Sequence, residues 1–166
     1  MYYKSNDINF YGMLQGLPDA VAVMAGGQAS SKIHGTVKFY QAARGVLIVA
    51  DIFGLPTSSE PCDKRIFAFH IHSGSSCSGN ENDPFADAGT HYNPDDCPHP
   101  HHAGDMPPLF GAGGRAFLAF LTDRFTVDEV IGKTVIIHDR PDDFTTQPSG
   151  NAGNKIACGV ITIVRR

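Results

Sequence analysis

Two histidines stand one residue apart in the segment Phe67-Ala-Phe-His-Ile-His72. Residues i and i+2 of a strand share a face, so His70 and His72 should point together, away from the apolar residues that alternate with them. Two imidazole nitrogens side by side are suitable donors for copper or zinc. Taken alone, the pattern fits two histidines facing solvent equally well.

A second group of potential metal ligands lies in the loop 91–105. It consists of His91, His99, His101, His102 and Asp105. Zinc takes histidine nitrogens and an aspartate oxygen in a four-coordinate shell. The competing interpretation is a polar, histidine-rich loop with only incidental affinity for metals. The density of donors favours a metal site.

One more histidine, His138, ends the apolar segment 134–138. By itself it fits a buried histidine that closes a core strand. Seven of the eight histidines, however, lie between His70 and His138. That concentration makes all three pieces candidates for one metal constellation.

The secondary-structure elements that must position these residues are predicted to be almost entirely β-strands. Short alternating or apolar segments between Gly and Pro turns predict a sandwich or barrel. The predicted strands are 20–24, 33–40, 45–53, 65–72, 115–122, 133–138 and 156–164. Thr126 and Glu129 form a capping box, which predicts one or two helical turns ended by Gly132. Two turn-rich stretches, 73–114 and 139–155, are long enough to be functional loops.

Length and composition exclude several classes of protein. The chain has 166 residues, with 42% hydrophobic and 18% charged residues, which excludes a disordered chain. The net charge of −4 disfavours a nucleic-acid partner. No stretch is long and apolar enough to span a membrane, and the first residues lack a secretory signal pattern, so we expect a cytoplasmic protein unless a leader was removed. The four cysteines allow three pairings, and the residues do not choose among them.

Beyond these patterns, the chain resembles the copper/zinc superoxide dismutase family from about residue 20 to 164. The matching segments are FHIH at 69–72, GTHYNP at 89–94, HAGD at 102–105, VIIH at 135–138, DD at 142–143 and SGNAGNKIACGVI at 149–161. The resemblance implies an eight-stranded Greek-key β-barrel, an immunoglobulin-like sandwich, with the metals outside the barrel under two long loops. We therefore expect a domain over 20–166, preceded by an N-terminal extension, 1–19, of unknown structure.

The resemblance also implies a cofactor pair and an activity. Superoxide would be converted to dioxygen and hydrogen peroxide by copper cycling between its two oxidation states, with zinc sharing a bridging histidine, His91. The implied copper ligands are His70, His72, His91 and His138. The implied zinc ligands are His91, His99, His102 and Asp105. Asp142 matches the carboxylate that links a copper ligand to a zinc ligand, which fixes the orientation of both rings.

Three features qualify the match. Lys155 stands where the family usually has an arginine beside copper, and a lysine attracts a small anion without the bidentate geometry of arginine. The zinc loop is short, so His101 could replace His99 or His102. Cys77 and Cys158 match the family's disulfide, whereas Cys62 and Cys97 have no counterpart in the family and could pair, stay free or perturb zinc.

Two kinds of function remain open at this point. The complete ligand set indicates an enzyme that dismutes superoxide. The lysine substitution leaves room for a non-catalytic relative that stores or delivers metal. A metal-dependent hydrolase would need an open zinc position and a carboxylate base in the site, and neither is evident. The resemblance allows a homodimer without deciding for one.

Overall fold

The protein is described by a computed structural model over residues 9–60 and 65–165. Nearly all of its regular structure in these ranges is β. In chain order the elements are α1 (Phe10–Gln15), β1 (Ala20–Gly26), β2 (His34–Ala42), β3 (Gly45–Phe53), β4 (Ile66–Phe67), β5 (Phe69–His72), β6 (Leu109–Phe110), β7 (Ala116–Thr122), α2 (Val127–Val130), β8 (Thr134–His138) and β9 (Lys155–Ile163).

Seven strands form one antiparallel sheet in the order β5-β8-β9-β1-β2-β3-β7, while β4 pairs with β6. After β7, which lies beside β3, the chain crosses to place β8 between β5 and β9, which is a Greek-key connection. Ile71 of β5 and Ala116 of β7, from opposite edges, belong to one hydrophobic core. The sheet therefore curls around that core, and the predicted all-β Greek-key barrel is confirmed.

The core follows from the alternation seen in the sequence. In β2, Val37 and Phe39 are buried and Lys38 is exposed. β3 matches its predicted bounds and is buried along most of its length, as its apolar run indicates. Fully burying one large apolar side chain, such as Phe69, contributes about 1.5–3 kcal/mol. The predicted capping box is also present, since the Thr126 amide donates to Glu129 Oε2 at 2.6 Å.

The predicted strand 65–72 is divided into β4 and β5, which raises the number of strands above the expected eight. Its backbone leaves the main sheet at Ala68, whose amide donates to the Arg140 carbonyl at 2.7 Å and whose carbonyl accepts from the His138 amide at 2.9 Å. β4 then pairs with β6, and β5 pairs with β8. The residue pattern of 65–72 does not reveal this division, because the strands that pair with β4 and β5 are distant in sequence.

The described part of the N-terminal segment packs on the sheet. Asn9 caps α1 by accepting from the Gly12 amide at 2.9 Å, and Met13 contacts the outer-face cluster of Tyr40, Leu47 and Val49. The division into an extension 1–19 and a domain 20–166 stays a prediction. Among the described residues, no helix has the length and apolar character needed to cross a membrane.

Candidate metal centre

Strand pairing assembles the first group of histidines. His70 and His72 lie on β5, and antiparallel β8 brings His138 beside them at its end. The Nε2 atoms of His72 and His138 are 3.3 Å apart. His91 enters from the following loop by a bridge to His72, and its ring centroid lies 4.0 Å from that of His70. One ring nitrogen from each of these four buried residues lies within 4.8 Å of the others.

A second group forms on the other side of His91. His91, His99, His102 and Asp105 each contribute one ligand atom to a cluster that spans no more than 4.8 Å. Asp105 Oδ1 is 2.7 Å from His91 Nδ1, and its Oδ2 is 3.0 Å from His99 Nδ1 and 3.2 Å from His102 Nδ1. His101 is exposed and lies outside both clusters. His91 is thus the shared member of the two clusters, and its Nδ1 faces Asp105 in the second.

Asp142 connects the two clusters from behind. Its Oδ2 is 2.7 Å from His70 Nε2, and its Oδ1 is 2.9 Å from His99 Nε2. Burial raises the pKa of Asp142, but hydrogen bonds from His70, the Phe144 amide and His99 outweigh it and lower the pKa to about 2. An ionised carboxylate only accepts hydrogen bonds, so both Nε2 atoms must carry protons. The Nδ1 lone pairs of His70 and His99 are then free to bind a metal.

Backbone carbonyls select the opposite tautomer at two other histidines. The Nδ1 atoms of His72 and His138 lie 2.8 Å and 3.3 Å from the carbonyls of Gly89 and Gly153. A carbonyl only accepts, so each Nδ1 is protonated and each Nε2 presents a lone pair. These two lone pairs face each other across 3.3 Å. Such an arrangement is repulsive without a cation between the rings.

Buried ring nitrogens without hydrogen-bond partners also indicate that a cation belongs among these side chains. Within the described ranges, His70 Nδ1, His91 Nε2 and His99 Nδ1 are buried without an aligned hydrogen-bond partner. The close approach of His99 Nδ1 to Asp105 therefore reflects convergence on a common point rather than an N–H directed at the carboxylate. Buried polar atoms normally have partners. The donor set fits two cations.

The protonation states also favour cation binding. Burial is the main cause that lowers the pKa of His72 well below its usual value, and burial followed by the charge of His70 lowers the pKa of His138 to about 3. Burial raises the pKa of Asp105, but opposing interactions, of which the hydrogen bond from His91 is the largest, outweigh burial and lower this pKa overall. Neutral imidazoles and ionised carboxylates are the forms that coordinate metals.

Two positioning residues were missed from the sequence. Arg124 Nη1 donates to the carbonyls of Pro100, His102 and Asp105 at 3.2, 3.1 and 3.0 Å. Gln147 accepts from the His99 amide at 3.0 Å and donates to the His99 carbonyl at 2.7 Å. No local pattern marks either residue, because each acts on a loop that is distant in sequence.

One glycine makes the Asp142 arrangement possible. A Cβ at Gly150 would lie 2.0 Å from Asp142 Oδ1 and 2.7 Å from His99 Nε2, and its φ of +67° is in the left-handed region. Any larger residue would displace the carboxylate from the two imidazoles. The long loop after β8 therefore reaches the centre only because a glycine lies there.

A cleft of about 900 Å³ opens over the first cluster, where His72, His91 and His138 contribute to its lining. Lys155, the first residue of β9, also lines it and lies opposite His138 in the strand register. Its Nζ is 2.5 Å from Asp83 Oδ2, a pairing that the sequence did not predict. The cleft is thus a route from solvent to the first cluster, flanked by an ion pair.

Cys77 and Cys158 form a disulfide that ties the loop after β5 to β9. Cys97 is a free thiol, and Cys62 lies outside the described residues. The disulfide is the one that the family resemblance implied.

Known proteins are similar to this chain in sequence and in fold. The family model described as copper/zinc superoxide dismutase matches residues 33–161. The chain is 32% identical over 145 residues to a protein named superoxide dismutase [Cu-Zn] 2 from Aquifex aeolicus, covering 78% of this chain and 80% of the relative. It is also 31% identical over 164 residues to the human copper chaperone for superoxide dismutase, covering 90% of this chain and 55% of that protein.

A solved structure, the Cu/Zn superoxide dismutase from Brucella abortus, superposes with a TM-score of 0.70 at 24% identity, covering 85% of this chain and 98% of that one. This likeness supports the fold. Together with the family match over most of the chain, it leads to one conclusion: the chain belongs to the copper/zinc superoxide dismutase family.

Proposed function

We propose that this protein is a copper/zinc superoxide dismutase that converts superoxide to dioxygen and hydrogen peroxide. The observation that carries the proposal is the pair of four-ligand clusters that share His91. A single metal-storage site would not require two adjoining clusters joined through one ring and braced by a common carboxylate.

The donor types suggest which metal each cluster takes. His70, His72, His91 and His138 offer four nitrogens, a set that suits copper in both oxidation states. His91, His99, His102 and Asp105 offer three nitrogens and one oxygen, a set typical of tetrahedral zinc. We therefore assign copper to the first cluster and zinc to the second.

Bound copper supplies the one-electron chemistry, by which two superoxide anions and two protons become one dioxygen and one hydrogen peroxide. The protein's residues provide access, orientation and protons. The cleft admits a small anion toward His138, and Lys155 supplies a positive charge at its side. His91 Nε2, which is buried without a hydrogen-bond partner among the described residues, is a position that could hold a proton when no metal is bound to it. Asp142 keeps the rings of His70 and His99 in their metal-binding tautomers.

A direct test separates this activity from metal storage or delivery. The purified protein is loaded with copper and zinc, each ion is quantified by elemental mass spectrometry, and superoxide loss is followed by pulse radiolysis with and without cyanide. We expect one ion of each metal per chain and cyanide-sensitive loss of superoxide. Stoichiometric copper without turnover would instead favour a delivery role, which the similarity to a copper chaperone makes the specific alternative.

Asp142 is expected to control metal affinity. Asp142→Asn removes the charge that holds protons on two imidazole Nε2 atoms, so we expect zinc and copper affinities about 10- to 100-fold lower. Competition with a chromophoric chelator measures the change. Asp123→Asn, at an exposed carboxylate, is the matched control. Wild-type affinity in Asp142→Asn would show that the carboxylate does not orient the ligands.

Lys155 is expected to accelerate capture of the anion. Lys155→Ala removes a positive charge and leaves Asp83 unpaired at the cleft, so we expect the second-order rate to fall about tenfold at low ionic strength and its salt dependence to flatten. Lys38→Ala, at an exposed position of β2, is the control. An unchanged rate at low ionic strength would refute the assigned role of Lys155.

The homodimer that the resemblance allows is a separate question. Phe110 and Phe117 are exposed by 67% and 64%, so apolar surface is present outside the metal centre. Sedimentation equilibrium of the metal-loaded protein gives the mass in solution and decides between a monomer and a homodimer independently of activity.

A further inference from the structure

The Lys155 ammonium group beside the first cluster already forms an ion pair. Lys155 Nζ contacts Asp83 Oδ2 at 2.5 Å, and both residues line the cleft. The side chain of Lys155 is 15% exposed and that of Asp83 is 39% exposed. The lysine is thus the more enclosed partner of the pair.

The backbone holds Asp83 in this position. Asp83 Oδ1 accepts from the Phe85 amide at 3.0 Å, and the Asp83 amide donates to Asn80 Oδ1 at 3.0 Å. The next aromatic residue, Phe85, packs in a buried cluster with Ile136 and Cys158. The loop that carries Asp83 is therefore anchored on both sides of the carboxylate.

Lys155 is held by the same part of the fold. It begins β9 opposite His138, three residues before Cys158. Asp83 lies six residues after Cys77, the partner of Cys158 in the disulfide. One covalent cross-link thus holds both members of the ion pair close to the cleft, so the contact is built into the fold.

Asp83 is ionised under ordinary conditions. Burial raises its pKa, but hydrogen bonds from Lys155 and the Phe85 amide, with the charge of Lys155, lower it overall. Opposite unit charges in contact cancel each other's field at a distance. An anion approaching the cleft therefore meets a dipole rather than a full positive charge.

We propose, on the basis of the function proposed above, that Asp83 is a positioning residue that holds the Lys155 ammonium at the side of the cleft and limits its attraction for anions. Removing the carboxylate charge should release the lysine and strengthen anion binding at the first cluster. Asp83 does not touch the reacting atoms and acts only through Lys155. The consequence is a centre whose affinity for anions is set below what its own lysine could provide.

The test uses azide, a small anion that binds copper(II), in titrations of the copper- and zinc-loaded protein followed by visible absorption. We expect Asp83→Asn to lower the azide dissociation constant about three- to tenfold. Asparagine keeps an Oδ1 acceptor for the Phe85 amide, and Asp83→Ser is a second variant that can also accept this bond. Glu81→Gln, which removes an exposed charge from the same loop, is the matched control.

A double-mutant cycle isolates the role of Lys155. In a Lys155→Met background, Asp83→Asn removes only the carboxylate's own repulsion of azide, so azide affinity should rise less than it does when Lys155 is present. An unchanged or weaker affinity in both Asp83 variants overturns the proposal. An equal gain with and without Lys155 also overturns it, because the carboxylate would then act as a general negative charge.

A metal-free measurement keeps this inference separate from the proposed enzyme activity. Acetic anhydride labelling of the unloaded protein, read by peptide mass spectrometry, reports the reactivity of Lys155. We expect faster labelling in Asp83→Asn, since the ammonium loses its partner, and a rate equal to wild type contradicts the proposal. Absent superoxide turnover with faster labelling and tighter azide would reject the enzyme activity and leave the role of Asp83 standing.

Discussion

Replacing His91 with alanine is expected to disrupt both clusters at once. The ring contributes a member to each four-ligand group, and its Nδ1 lies 2.7 Å from Asp105 Oδ1. Even a residue that only orients a ligand changes affinity or activity about 10- to 100-fold. We therefore expect superoxide turnover to fall at least about 100-fold, with zinc and copper both bound more weakly.

The measurement combines metal content after dialysis against a chelator with the second-order rate of superoxide loss. His34→Ala is the matched control, because this exposed histidine lies on β2 and stacks on Phe53 away from both clusters. Retention of both metals and of the full rate in His91→Ala would mean that the two clusters do not depend on a shared ring.

Removing the disulfide between Cys77 and Cys158 is expected to lower the free energy of unfolding strongly. The Cys77–Cys158 disulfide closes a loop with a sequence separation of 81 residues. In the chain-entropy account, a cross-link of this span stabilises the folded state by about 4–5 kcal/mol, and removing native disulfides typically costs about 2–5 kcal/mol. Since small domains are stable by only about 5–15 kcal/mol, replacing both cysteines with alanine should remove a large part of the free energy of unfolding.

Urea unfolding of the metal-free protein, followed by circular dichroism, measures this change without the added stabilisation from bound metals. The Cys97→Ala variant is the control, because this thiol is free. We expect the double variant to unfold at a much lower urea concentration and Cys97→Ala to match the wild type. A double variant within about 0.5 kcal/mol of wild type would contradict the stabilising role.

The parts of the fold that depend on local pattern were predictable. The alternation of apolar and polar residues in β2 identifies a strand with one buried face. The apolar run of β3 identifies a strand that is buried on both faces. The His-x-His pattern correctly placed two rings on one face of β5. The capping box at Thr126 likewise needed only neighbouring residues.

The parts that depend on distant segments were not predictable from pattern alone. The break at Ala68 requires backbone partners at His138 and Arg140. The contact between Asp83 and Lys155 joins residues 72 positions apart, and Gln147 meets His99 across 48. Composition and periodicity carry no information on such pairs. The ligand sets themselves came from the family resemblance, since the residues alone left His101 and a solvent-facing His70 open.

The proposed function requires two different metals in adjoining sites that share His91. Crystals of the copper- and zinc-loaded protein, measured on both sides of the copper and zinc absorption edges, test it most directly. We predict a copper anomalous peak among His70, His72, His91 and His138, and a separate zinc peak among His91, His99, His102 and Asp105. A single peak, or metal bound at His101 with His91 turned away from both clusters, would contradict the account.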